Sequence, residues 1–209
     1  MKIWSDSLDH GQPIAPRLAF GVLHPTDRMA LGEDRNPHLA WDELPEGTKS
    51  LVLLCVDPDV PSIADDVNQE GKTIPADLAR VDFYHWVLVD LDPASGPIAE
   101  GEFSAGGVVV KGKSGPASAR NTRSGLNGFT GFLAGAPDMA GQYFGYDGPC
   151  PPWNDERLHH YHFTLYATSL ERCPVTGTFS GPEVAAAIAD HILAQATITG
   201  TYTLNRDLG

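Results

Sequence analysis

The chain has 209 residues, enough for one sizeable core and too few for two domains of ordinary size. Hydrophobic residues make up 42% and charged residues 20%, as in a globular domain. With 14 basic against 27 acidic residues the formal net charge is −13, which argues against binding to nucleic acid and against stable membrane association.

The opening residues Met1-Lys2-Ile3-Trp4-Ser5-Asp6 hold no apolar run of the signal-peptide kind. No segment approaches the roughly 20 apolar residues that span a bilayer. Cys55, Cys150 and Cys173 are scattered without paired spacing, which predicts reduced thiols and a cytoplasmic protein. Glycine and proline are abundant, at 22 and 17, while helix signals are scarce, so short strands between frequent turns are expected.

The first clear element is the apolar run Leu51 to Val56, which reads as a central strand buried on both faces. It is expected to end in a turn at Asp57-Pro58-Asp59-Val60-Pro61, where two prolines make a cis bond an option. Ser62 to Arg80 is polar and acid-rich and reads as a long loop with at most one helical turn. A second strand is predicted from about Tyr84 to Leu91. His85 sits at its head between two aromatic residues, where a histidine is more often structural than a ligand.

Ser104 to Met139 is rich in Gly, Ser and Ala and is predicted to be a loop. Within it Lys111, Lys113, Arg120 and Arg123 form an acid-free basic cluster, either solvated or an electrostatic aid to an anion. Gly145 to Trp153 is dense in proline and glycine and reads as a rigid turn. A third strand follows, from about His159 to Ala167. Strand alternation puts His159 and Tyr161 on the apolar side with Phe163 and Leu165, and His160 and His162 on the other side. The second pair has the spacing of two metal ligands, but two histidines without a third ligand make no zinc site, and solvent exposure is expected for them.

Ser180-Gly181-Pro182-Glu183 has the form of a capping box opening a helix, with Val184, Ile188 and Ile192 as one apolar stripe. The chain closes on an alternating strand, Ile198, Tyr202 and Leu204 on one side and Thr197, Thr199, Thr201 and Thr203 on the other. Nucleophile elbows, phosphate loops, dinucleotide turns and metalloprotease motifs are absent, so neither a cofactor nor a metal is expected.

These pieces resemble the phosphatidylethanolamine-binding protein family, in particular its bacterial Raf kinase inhibitor-like branch. The resemblance rests on Asp57-Pro58-Asp59-Val60-Pro61, on the aromatic-flanked His85 before an apolar strand, and on Gly148-Pro149-Cys150-Pro151-Pro152 leading into His159-His160-Tyr161. It spans nearly the whole chain as a single domain, 1–209. It implies a mostly-β, β-sandwich-like fold with a large central sheet, a few short helices and a C-terminal helix. It also implies a small pocket for phosphate-like anions, the phosphoethanolamine headgroup included. Asp57, His85, His159 and Tyr161 map onto that pocket, and Phe83, Gly148, Cys150 and Pro152 onto its rim or floor. Relatives that inhibit kinases or proteases make a protein partner of that kind an expectation. The family's Arg is His160 here, on the strand face away from the pocket. The segment 62–80 is longer than the shortest members need, and is expected to cover the mouth or to make homodimer contacts.

On this reading two imidazoles and the Tyr161 hydroxyl donate to an anion, while Asp57 orients a histidine or meets a ligand ammonium group. The alternative is a hydrolase using Asp57, His85 and His159 as acid–base groups, which lacks a nucleophile.

Overall fold

The computed structural model describes residues 1–208. Nine strands are present among them. In chain order they are β1 (Lys2–Trp4), β2 (Gly21–His24), β3 (Arg28–Leu31), β4 (Ala40–Asp42), β5 (Ser50–Pro61), β6 (Arg80–Leu91), β7 (Arg123–Ser124), β8 (His159–Thr168) and β9 (Ile192–Tyr202). Two α-helices join them, α1 (Phe129–Phe132) and α2 (Gly181–Ile188). β7-β6-β5-β8-β9 form one antiparallel sheet, while β1-β4 and β2-β3 are separate two-stranded ribbons. The expected mostly-β fold with a large central sheet and a C-terminal helix is what the chain adopts.

β5 is central because it can be covered on both sides. Leu51, Leu53 and Cys55 face one core with Trp86, Leu88, Tyr161, Phe163 and Leu165. Val52 and Leu54 face a second core with Val87, Val89, Val184 and Ile188, under α2. An uninterrupted apolar run is the sequence form that such two-sided burial takes.

Several boundaries differ from expectation. β5 does not stop at Asp57 but continues to Pro61, because β6 starts at Arg80 and pairs with it through Val60↔Val81 and Pro61↔Arg80. The register slips between Asp57 and Val60, so Asp57-Pro58-Asp59 is an irregularity in a strand rather than a turn. Neither Asp57-Pro58 nor Val60-Pro61 is cis; among the described residues the cis peptide is Gly115-Pro116. α2 opens as predicted, with the Ser180 N–H donating to Glu183 Oε2 at 2.8 Å. It ends at Ile188, and Ile192 belongs to β9. Ile192 still packs on the core under α2, which is why it mimicked the next turn of the stripe. The Thr face of β9 is not left open either: Thr199 and Thr201 are buried where Gly11 and Ile14 donate their N–H groups to the Thr199 and Thr201 carbonyls. The loop 104–139 contains β7, α1 and a 3-10 turn at Ala119–Asn121. No helix among the described residues is long and apolar enough to cross a membrane.

Candidate functional site

A cleft opens at the end of the central sheet where β5, β6 and β8 run out beside the proline-dense turn. Asp57, Phe83, His85, Cys150, Pro152, His159 and Tyr161 all line it, together with Val60, Pro61, Pro151 and three residues of the 62–80 loop. Those three, Ala64, Val67 and Asn68, put the loop at the mouth of the cleft. The cavity volume is about 80 Å³. One water needs roughly 10–15 Å³ on the same measure, so the space suits a few waters or one small ligand group. Of the eight site residues expected from sequence, Gly148 is the one that does not line the cleft. It lies underneath, its N–H donating to Asp34 Oδ1 at 2.7 Å, and a Cβ there would stand 2.1 Å from the Leu18 carbonyl oxygen.

β8 delivers its two residues by simple alternation: Tyr161 and His159 share the face of Phe163 and Leu165. β6 delivers His85 differently. On an even strand His85 would share a face with Val87 and Val89, which point at α2. The register instead steps from Cys55↔Trp86 to Val56↔Tyr84, leaving His85 as an extra residue in a bulge. The bulge turns its ring into the cleft, 5.0 Å from the Tyr161 ring and 4.8 Å from the Phe83 ring. The slip after Asp57 sends Asp59 to the opposite face, where Oδ2 accepts from the His160 backbone N–H and pairs with His160 Nδ1 at 2.9 Å. His162 pairs with Thr199 Oγ1. The His160 side chain is 46% exposed, as expected, whereas His162 is half-buried, and neither lines the cleft. Among the described residues no three metal-ligating side chains converge.

The floor is a buried chain of alternating charges. His159, fully buried, donates from Nδ1 to Asp57 Oδ2 at 2.7 Å and from Nε2 to Asp155 Oδ2 at 3.1 Å. Asp155 in turn takes a two-pronged contact from the Arg80 guanidinium at 2.5 and 3.0 Å. Burial works against the charged imidazole, but the hydrogen bonds and charges of Asp155 and Asp57 outweigh it and push its pKa up to about 9. His159 is therefore an imidazolium at neutral pH, yet both of its N–H groups are already spent on carboxylates. The expectation that it donates to an anion does not match this geometry. Asp57 does orient a histidine, as expected; its Oδ1 accepts from the Asp59 N–H at 2.8 Å.

His85 is the opposite case. Its Nδ1 lies 2.8 Å from the Asp147 carbonyl oxygen, which can only accept, so Nδ1 carries the proton. Burial lowers its pKa against the pull of Asp57 and Asp147. The neutral ring keeps a lone pair on Nε2, which has no protein partner among the described residues. Tyr161 is fully buried and its hydroxyl makes no hydrogen bond within 3.5 Å, its polar neighbour being the Asp57 carboxylate. Burial and the nearby Asp57 charge push that phenol well up, so it retains its proton. A buried polar group without a partner is costly, and one that lines a cleft marks where a ligand atom would be accommodated.

The walls are aromatic. Phe129 and Phe132 of α1 line the cleft, with Phe83 edge-on to both at 5.2 and 6.5 Å. Sequence reading missed them because they sit in a segment that looks like loop. The signal available was Asn127-Gly128 before two phenylalanines. Asn127 Oδ1 accepts from the Phe129 N–H, and a Cβ on Gly128 would stand 2.6 Å from the Phe83 ring. Asp155, four residues before His159, was missed as well.

The basic cluster does not serve the cleft. Lys113 pairs with Asp147 at 2.8 Å, Arg120 with Glu102 and Arg123 with Asp90, each through an acid remote in sequence. Lys113 contributes indirectly, because Asp147 is the residue whose carbonyl holds His85.

With that geometry in view, residues 4–203 match the family model for phosphatidylethanolamine-binding protein. The UPF0098 protein YbhB of Escherichia coli K12 is 32% identical over 203 residues, covering 97% of this chain and all of that one. A UPF0098 protein of Aquifex aeolicus is 30% identical, covering 97% and 88%. Among solved structures, Escherichia coli YbcL, described as a member of the mammalian PEBP family, superposes with a TM-score of 0.68 over 97% of both chains at 23% identity. The PEBP homolog CT736 of Chlamydia trachomatis gives 0.61 over 96% and 95%, at 25% identity. A family-model match over nearly the whole chain, with a relative 32% identical along its full length, places the chain in the phosphatidylethanolamine-binding protein family.

Proposed function

We propose that the chain is a binding protein for a small anionic ligand of phosphate type, held in the cleft by Tyr161 and His85. The observation that carries this reading is the buried Tyr161 hydroxyl, without a hydrogen bond, beside the His85 ring, whose Nδ1 is held by the Asp147 carbonyl, at the floor of a small aromatic-walled cleft. The family's name, for a protein binding a phosphate-bearing headgroup, agrees with it. The rigid lip helps. Three of the four residues Pro149-Cys150-Pro151-Pro152 lack a backbone N–H and have φ fixed, so the cleft keeps its shape without a ligand.

Binding is supported better than hydrolysis. His159 is locked between two carboxylates and cannot shuttle a proton to substrate. The one thiol in the cleft, Cys150, is pushed by burial up to about 12, far from a nucleophilic thiolate.

Calorimetric titration with inorganic phosphate at about pH 6, within the histidine range, tests the proposal. Wild-type protein is expected to bind, and Tyr161→Phe and His85→Ala to bind roughly tenfold or more weakly, the loss of one hydrogen bond to a charged group. Absence of binding across the range from about pH 5.5 to 8 would remove the reading.

A further inference from the structure

The cleft offers an anion surprisingly few protons. Its single histidine cation, His159, has both N–H groups bonded to Asp57 and Asp155. The Arg80 guanidinium points at Asp155, the Asp59 carbonyl and the Pro75 carbonyl rather than into the cleft. Charges in the floor therefore cancel pairwise: Arg80 and His159 against Asp155 and Asp57, with Lys113 against Asp147 behind. What the floor presents to a ligand is one donor, the Tyr161 hydroxyl beside Asp57, next to acceptors, His85 Nε2 and the Asp57 carboxylate, with the Asn68 amide at the mouth. A dianion without protons would meet two acceptors and no uncompensated cation. An oxyanion with a P–O–H group would satisfy both kinds of atom: one oxygen accepts from Tyr161 while its hydroxyl donates to His85 or Asp57.

We infer that this cleft selects oxyanions that bring their own proton, namely a phosphomonoester monoanion, over proton-free dianions and over phosphodiesters. The inference rests on the anion-binding reading above and adds the protonation state and ester class of the ligand. The groups facing His85 are Asp57 on β5, Asp147 in the turn before β8, and His159 and Tyr161 on β8, with Phe83 and Phe129 uncharged beside it. Burial holds His85 below its ordinary pKa, which keeps Nε2 an acceptor as the ligand titrates.

The experiment is a calorimetric comparison of methyl phosphate, dimethyl phosphate, glycerophosphoethanolamine and sulfate on the full chain. A phosphomonoester has its second pKa near ~6, so its monoanion fraction falls about 50-fold between about pH 6 and about pH 8. Methyl phosphate affinity is expected to fall by that factor over this range. Sulfate and the two diesters are expected to bind at least about tenfold more weakly than methyl phosphate at about pH 6, the loss of one hydrogen bond. Sulfate or dimethyl phosphate binding as tightly as methyl phosphate at the lower pH would overturn the inference while leaving anion binding intact. So would tighter binding of glycerophosphoethanolamine, which would identify a diester headgroup as the preferred class. If none of the four binds, the inference falls together with the reading it rests on.

Discussion

Asp155→Ala is expected to destabilise the protein by about 3–5 kcal/mol, the range measured when one partner of a buried ion pair is removed. The size follows from what the substitution strands. Asp155 is 1% exposed and accepts from two buried cations at once, Arg80 and His159 Nε2. Without it the His159 Nε2–H and the Arg80 guanidinium each lose a carboxylate in a buried site, His159 keeping Asp57 and Arg80 keeping only backbone carbonyls. Hydrogen bonds to Asp155 and the charge of His159 hold its own pKa below the usual carboxylate range despite the burial that raises it. For a domain of this length each kcal/mol corresponds to roughly 2–4 °C, so thermal unfolding should show a loss on the order of 10 °C. The conservative Asp155→Asn variant is expected to recover part of it by keeping an acceptor for the guanidinium. An Asp155→Ala midpoint within a degree or so of wild type would mean that the charge chain does not hold the floor together.

The second large effect is on pH. His159 rises from an ordinary value of 6.5 in the unfolded chain to about 9 when folded. A raised pKa contributes stability that is fully present below the unfolded value and disappears as pH rises through the folded one. Stability should therefore decline between 6.5 and about 9, by on the order of 3 kcal/mol from this residue. Asp155 and Asp59 are lowered, burial being outweighed in each by histidine contacts and, in Asp155, by Arg80 as well, so their contributions are lost on the acid side as pH falls through their folded values. The protein should be most stable on the mildly acidic plateau between these limbs, above the ordinary carboxylate value of 3.8 and below 6.5. His159→Gln keeps the shape of a donor and removes the titration. Thermal unfolding of this variant should be less stable near neutrality and lack the alkaline slope. An alkaline slope equal to that of wild type would assign the effect to other groups.

The run Leu51 to Val56 was legible because two-sided burial leaves no polar interruption, and the helix start because Ser180 and Glu183 satisfy each other locally. The pairing of His159 with Tyr161 followed from alternation alone. His85 did not: its direction depends on a bulge against β5, a property of two strands rather than one. The end of α2 was misplaced because Ile192 packs on the same core from a strand as it would from a helix. The ribbons β1-β4 and β2-β3 were invisible because segments of three or four residues carry almost no periodicity. The role of His159 was the deepest miss. Its second carboxylate, Asp155, changes it from a ligand donor into the centre of a closed charge chain.

Whether a small anion sits between Tyr161 and His85 is decided by a crystal structure of the protein grown with phosphate. The expected result is an anion in the cleft with one oxygen within hydrogen-bond distance of the Tyr161 hydroxyl and another at His85 Nε2, and with His159 still bonded to Asp57 and Asp155. Phosphate bound elsewhere with the cleft left to water, or an anion that pulls His159 away from its carboxylates, would contradict it.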